Sequence, residues 1–201
     1  MKRDKALMIA EKMISFIAPA CERIEVKGSI CRGSAEVKDI EILAIPDLTP
    51  PPAPRLEFGK PIPKIRETKL DVVLDVMAAE KLIQRHKDGR KFKKISWMND
   101  GGIMIDLFLV TPPATWGVLS LIRTGPADFS HWCVTRRKIG GAMPDGFRVQ
   151  DGAVWEGARE DETHNKIGFK TEQEFLDFLG LGWLEPGERV ARWSGGSKIK
   201  A

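Results

Sequence analysis

Two stretches of this 201-residue chain set carboxylates among the apolar residues of what read as buried strands. Residues 39–45 run Asp39-Ile40-Glu41-Ile42-Leu43-Ala44-Ile45, and residues 103–110 run Ile103-Met104-Ile105-Asp106-Leu107-Phe108-Leu109-Val110. Both have the short apolar character of central strands. Residues i and i+2 of a strand face the same way, so Asp39 and Glu41 present two carboxylates side by side. Asp106 repeats the anomaly in the second strand, and burying such a group is costly without compensation. An Asp-x-Glu pair on an exposed strand face is common. Its conjunction with an isolated Asp106 in a second apolar strand is much rarer. If the two strands are neighbours, three carboxylates converge on one spot.

The surrounding pattern predicts an α/β chain with a mixed sheet and a smaller α+β part at the C-terminal end. An amphipathic helix is expected over 4–18, ended by Pro19. A strand follows over 23–27, then a turn at Gly28-Ser29. The proline-rich stretch 47–63 reads as a surface excursion, since proline cannot sustain regular structure there. Helical spacing returns over 69–86 through Leu70, Val73, Leu74, Met77 and Leu82. Strands over 92–97 and 103–110 flank Asn99-Asp100-Gly101-Gly102, a hairpin signal. Thr111-Pro112-Pro113 marks a subdomain boundary, dividing the chain into 1–111 and 112–201. Beyond it, helices are expected over 114–123 and 127–138, and a hairpin over 147–155. A short helix over 171–179 opens on Thr171 with Glu174 as its capping-box partner.

Composition narrows the setting. No run approaches the length of about 18 apolar residues needed to span a bilayer. Cys21, Cys31 and Cys133 have neither the number nor the spacing of a disulfide framework or zinc site, which suits a cytoplasmic, intracellular protein. The formal charge is +4, with six lysines and arginines against one aspartate over residues 85–94. Arg136-Arg137-Lys138 is a second basic cluster. Each run alone is often plain solvated surface, but two such stretches point to a polyanionic partner.

Three clustered carboxylates repel one another unless divalent cations neutralise them. Magnesium favours a few carboxylates plus water and phosphate oxygens. That chemistry suits in-line phosphoryl transfer with two metals roughly 4 Å apart. The Gly28-Ser29 turn offers backbone N–H groups and a hydroxyl near the same sheet edge, and Arg32 can grip a polyphosphate.

Gly28-Ser29-Ile30-Cys31-Arg32-Gly33, followed by Asp39-Ile40-Glu41-Ile42-Leu43, resembles the signature of the DNA polymerase β superfamily. The likeness continues in order through Lys87 to Phe92, Ile105-Asp106-Leu107-Phe108, Trp116 to Leu119 and Arg123-Thr124-Gly125-Pro126. It ends in Phe147 to Val154 and in Phe175 to Arg189, with Glu185-Pro186 inside. It spans about residues 28–189 and is similar to family X DNA polymerases, above all their smallest viral-type members. A phage or viral protein in a host cytoplasm fits that likeness.

The resemblance implies a nucleotidyltransferase palm over 1–111 and a nucleotide- and template-positioning subdomain over 112–201. It implies that Asp39, Glu41 and Asp106 bind two Mg2+ ions, with Mn2+ able to substitute, and that Asp106 activates the primer 3′-hydroxyl. Gly28, Ser29, Arg32 and Lys38 would hold the triphosphate. Ile122, Arg123, Thr124, Gly125 and Ser130 would shape the nucleotide pocket, and Lys91, Lys93, Lys94, Arg136 and Arg137 would contact nucleic acid. The expected partners are primer–template or gapped DNA and a nucleoside triphosphate, with no membrane and a monomeric enzyme. The departures are Glu41 for the family's usual Asp, Val37-Lys38 for Ser-Gly, Ile122-Arg123 for two aromatics, and Ser130 near the usual Asn. Two other readings stay open: a template-independent transferase acting on RNA or protein, and a non-catalytic nucleic-acid-binding module.

Overall fold

The computed structural model describes residues 1–51, 68–157 and 165–194. Helix α1, Arg3–Ile17, buries Ala6, Ile9, Ala10, Met13 and Ile17, the spacing that puts one stripe on the core. A 3-10 turn, Ala18–Ala20, follows where Pro19 interrupts the α-helical ladder. Strand β1 is Cys21–Lys27, and the expected Gly28-Ser29 turn is instead the start of a one-turn helix α2, Gly28–Cys31. Strand β2 is Ile40–Pro46. Most of the proline-rich excursion lies outside the described residues.

Helix α3, Lys69–Ala79, opens on a capping box between Thr68 and Asp71. The helix expected to continue to His86 stops there. Lys81 takes a left-handed φ of 60°, and Ile83–Asp88 forms strand β3. Strand β4, Phe92–Trp97, and strand β5, Ile103–Leu109, complete a sheet of order β1-β2-β5-β4-β3. The β2–β5 pair is parallel and the other pairs are antiparallel, so the sheet is mixed.

Alternation sorts the two faces. Ile40, Ile42, Ala44, Ile95, Trp97, Ile105, Leu107 and Leu109 join the buried stripes of α1 and α3 in one core. The opposite face carries Glu41, Leu43, Lys94, Asp106 and Phe108, which alternate with them. Lys93 falls on the core side. It is 4% exposed, and its Nζ lies 2.7 Å from both Asp71 Oδ1 and Asp88 Oδ1. Arg85 likewise bonds Asp75 at 2.7 Å. Much of the basic run is thus tied into the fold.

Past cis Pro112-Pro113, helices α4 (Trp116–Thr124), α5 (Ala127–Val134) and α6 (Glu172–Leu179) pack with strands β6 (Phe147–Gln150) and β7 (Ala153–Glu156). A two-residue strand β8, Lys166–Ile167, extends that hairpin. The helix expected over 127–138 is shorter, because Thr135 turns extended and only a 3-10 turn follows at Arg137–Ile139. The capping box of Thr171 and Glu174 forms as expected. A second core gathers Val118, Leu121, Phe129, Phe175, Leu176 and Leu179, and a smaller cluster of Leu43, Val110 and Trp116 joins it to the sheet. The result is a mixed α+β architecture whose helical C-terminal part sits over the uncovered face of β1 and β2. No described helix is long and apolar enough to cross a membrane.

Candidate active site

The parallel β2–β5 pairing sets Glu41 directly opposite Asp106. Antiparallel pairing sets Lys94 opposite Asp106 and Lys27 opposite Glu41. A row of charged residues, Lys27–Glu41–Asp106–Lys94, therefore crosses neighbouring strands about 4.8 Å apart. Asp39 enters from just before β2, close enough to raise the cost of charging Glu41. Burial pushes the Glu41 carboxyl up first, with Asp39 and Asp106 adding to it. Arg123 and Arg32 pull the other way, and the net shift is upward.

Asp106 Oδ1 is buried, accepts no hydrogen bond, and lies 3.5 Å from Lys94 Nζ. The strands are thus neighbours, as expected. Among the described residues no group of three His, Cys, Asp or Glu side chains is already closed on one ion position. The trio is met instead by positive side chains: Lys94 beside Asp106, and Arg123 and Arg32 in electrostatic reach of Glu41.

The phosphate-motif residues lie against this row. Gly28 has φ +66°, and a Cβ added there would come 1.7 Å from Glu41 Oε2. Only glycine lets the chain pass so close to that carboxylate. Gly28→Ala is expected to cost about 1–2 kcal/mol for the left-handed backbone alone and to displace Glu41. A melting curve of the variant beside wild type checks this.

Arg32 Nη1 donates to the Thr124 carbonyl at 2.6 Å, and Gly125 has φ +68° with room for a Cβ only 2.9 Å from that same Nη1. The Gly-Ser segment and the Thr-Gly segment, far apart in sequence, thus meet at Arg32. Ser29 is half-buried on α2, and Lys38 is exposed beside Asp39.

Other candidates are placed elsewhere. Ile122 packs against the second core, and Ser130 is buried with its hydroxyl donating to the Ile122 carbonyl at 3.0 Å. Both lie on the side of α4 that packs into the second core. Lys93 is held between two aspartates, so it cannot belong to an exposed basic strip. Arg137 ties the Ala142 and Leu179 carbonyls together. Lys91 is exposed and bridges to Asp151 at 2.8 Å, linking β4 to the β6–β7 turn. Arg136 is exposed.

Sequence reading missed two groups of residues here. Phe92 and Phe108 stack at 5.0 Å beside Asp106, with Arg123 Cζ 3.7 Å over Phe108 and Lys87 Nζ 5.9 Å from Phe92. The in-register aromatics on two strands were a signal available only once the pairing was known. The second group is a network under the C-terminal part. Lys27 bonds Glu25 at 2.8 Å and lies 3.9 Å from Glu172, which Ser120 and Arg189 also bond. Arg23 covers Trp116 at 4.0 Å.

No protein-family model matches the chain, and no curated protein matches it.

Proposed function

We propose that the chain is a nucleotidyltransferase, a small DNA polymerase like those of family X, that adds nucleotides to a primer 3′-hydroxyl. The observation that carries this reading is the in-register pair Glu41–Asp106, with Gly28 against one side and Arg32 and Thr124-Gly125 gathered beside it.

An all-oxygen donor set with a buried, unbonded Asp106 Oδ1 suits magnesium, which takes few protein carboxylates and completes its shell with water and phosphate. Asp39, Glu41 and Asp106 would hold it. When bound, the metal supplies charge neutralisation at the triphosphate and a more acidic primer hydroxyl. The chain's own residues do the rest. Arg32, steadied by the Thr124 carbonyl, meets the triphosphate as a fork-shaped donor. Gly28 lets the backbone approach without a side chain in the way. Asp106 accepts the proton of the 3′-hydroxyl as O3′ bonds to the α-phosphorus, and the bond to the departing pyrophosphate breaks. Phosphoryl transfer of this kind depends chiefly on positioning and charge stabilisation.

Primer extension tests the reading. Purified chain is offered gapped, blunt and single-stranded DNA with either dNTPs or rNTPs and Mg2+. Extension favoured on gapped DNA with dNTPs supports it, and no lengthening of any primer removes it.

Lys91, which is exposed, and the half-buried Lys94 give a separate expectation about DNA binding. Lys91→Ala and Lys94→Ala are each expected to reduce the slope of log affinity against log salt by about 0.9, the value for one phosphate contact on a duplex. Lys93→Ala, buried on the other face, is expected to leave that slope unchanged. Equal effects at all three positions would mean that β4 contributes no directed contact.

A further inference from the structure

Arg32 closes α2, and residues 33–38 carry the chain from it to Asp39. None of those residues lies in a helix or strand, and Glu36 makes only a single bridge, to Lys2. Such a segment keeps one conformation only if other groups bond it, because ordering each residue's backbone costs entropy.

Residues 1–3 supply those bonds. Met1 N donates to the Val37 carbonyl at 2.7 Å, and Val37 N donates back to the Met1 carbonyl at 2.8 Å. Arg3 makes two contacts, one on each side of Arg32. Its Nε donates to the Ile30 carbonyl within α2 at 3.1 Å, and its backbone N donates to the Ala35 carbonyl at 3.1 Å. The clip is anchored in turn, because Arg3 opens α1, whose Ala6, Ile9, Ala10, Met13 and Ile17 are buried in the core. The core of the sheet thus fixes a loop on its rim through a single arginine.

We propose that Arg3 is a positioning residue for the nucleotide: it holds the loop that sets Arg32, which meets the triphosphate, against Asp39, which holds the metal. This deepens the nucleotidyltransferase reading and rests on it. Without the clip, the loop is ordered only when the nucleotide arrives, and binding weakens by that ordering cost. Once the nucleotide is bound it holds both ends of the loop, so the chemical step changes little.

The test compares the full chain with Arg3→Met and Arg3→Gln, by steady-state primer extension, thermal melting and amide hydrogen exchange. Methionine keeps the stem and a similar helix propensity but has no donor. Glutamine has no charge, yet its Nε2 stands the same number of bonds from the backbone as the arginine Nε. Arg3→Met is expected to raise KM for dNTP about five- to tenfold, the order of one hydrogen bond. Its kcat is expected to stay within about twofold, as when binding common to ground and transition state is lost. Arg3→Gln is expected to keep KM within about threefold of wild type, since the donor remains. Without nucleotide, the Ser34 and Val37 amides of Arg3→Met are expected to exchange about tenfold faster or more, while those of β5 do not change. If Arg3→Met does not fold, Arg3→Ala takes its place.

Unchanged KM and unchanged exchange in Arg3→Met, with only a lower Tm, overturns the positioning role and leaves the site intact. A KM raised equally in Arg3→Gln also overturns it, because the charge and not the bond is then what acts. A wild-type chain that extends no primer overturns the nucleotidyltransferase reading, and this inference with it.

Discussion

Asp106→Asn is expected to lower nucleotide addition by about a thousandfold or more while leaving the melting temperature near that of wild type. The substitution keeps the size and shape of the side chain on β5 but removes its charge and its ability to accept a proton. General-base losses alone run to about a hundred- to ten-thousandfold, and a weakened metal shell adds to that. The fold should tolerate the change because Asp106 Oδ1 accepts no hydrogen bond, and its longer ion pair with the part-exposed Lys94 at 3.5 Å contributes little. Removing a carboxylate opposite Glu41 also relieves repulsion. Single-turnover kinetics beside a thermal melt measure both halves. Near-wild-type turnover by the variant would take Asp106 out of the chemistry.

The second large effect concerns stability on the other face of the sheet. Asp71→Leu is expected to destabilise the fold by about 3 kcal/mol, because it leaves a buried lysine with one partner fewer. In a chain of this size that is a fall of about 6–12 °C in Tm. The double variant Asp71→Leu, Lys93→Met is expected to recover part of the loss, since it removes the buried lysine as well and leaves Asp88 its pair with Arg85, while the capping bond to Thr68 stays lost. Additive losses in the double variant would mean that the two residues do not act as a pair.

The same contact has a pH signature. Burial alone would raise the Asp71 carboxyl, but hydrogen bonds from Lys93 and Thr68 outweigh it and hold the group below its ordinary 3.8. Because the folded value is the lower one, the contribution is present above about pH 4 and is lost as pH falls through the depressed value. Wild type should therefore lose stability in that acid range more steeply than Asp71→Leu.

These residues also show why some of the molecule was legible from sequence and some was not. The stretches bearing Glu41 and Asp106 stood out because charge interrupts an apolar run, and both are strands, with Asp39 just outside the first of them. Their in-register pairing was not readable, since register depends on the whole sheet. Strand β3 was missed because Leu70 to Leu82 carries helical spacing up to the break at Lys81, and Ile83–Asp88 is a polar edge strand with one neighbour. An edge strand of that kind shows no apolar alternation to detect.

The basic run misled in the same way. Composition counts Lys91, Lys93 and Lys94 alike, whereas strand parity sends Lys93 to the core and Lys94 to Asp106. Gly28 was noticed as part of a motif, but its reason for being glycine, the passing Glu41 carboxylate, needed coordinates. Ile122 and Ser130 were assigned to the pocket by position in a pattern. The packing of α4 against α5 instead sets Ile122 against the second core and Ser130 on its carbonyl.

The central claim is that Asp39, Glu41 and Asp106 together direct nucleotide addition. Its most direct test is to measure primer lengthening and pyrophosphate release in the same reaction, on one-nucleotide-gapped DNA with Mg2+. Wild type is expected to release one pyrophosphate for each nucleotide added, and the alanine variants at Asp39, Glu41 and Asp106 to do neither while still melting cooperatively. Wild-type extension by any folded alanine variant, or pyrophosphate release without lengthening, would contradict the account.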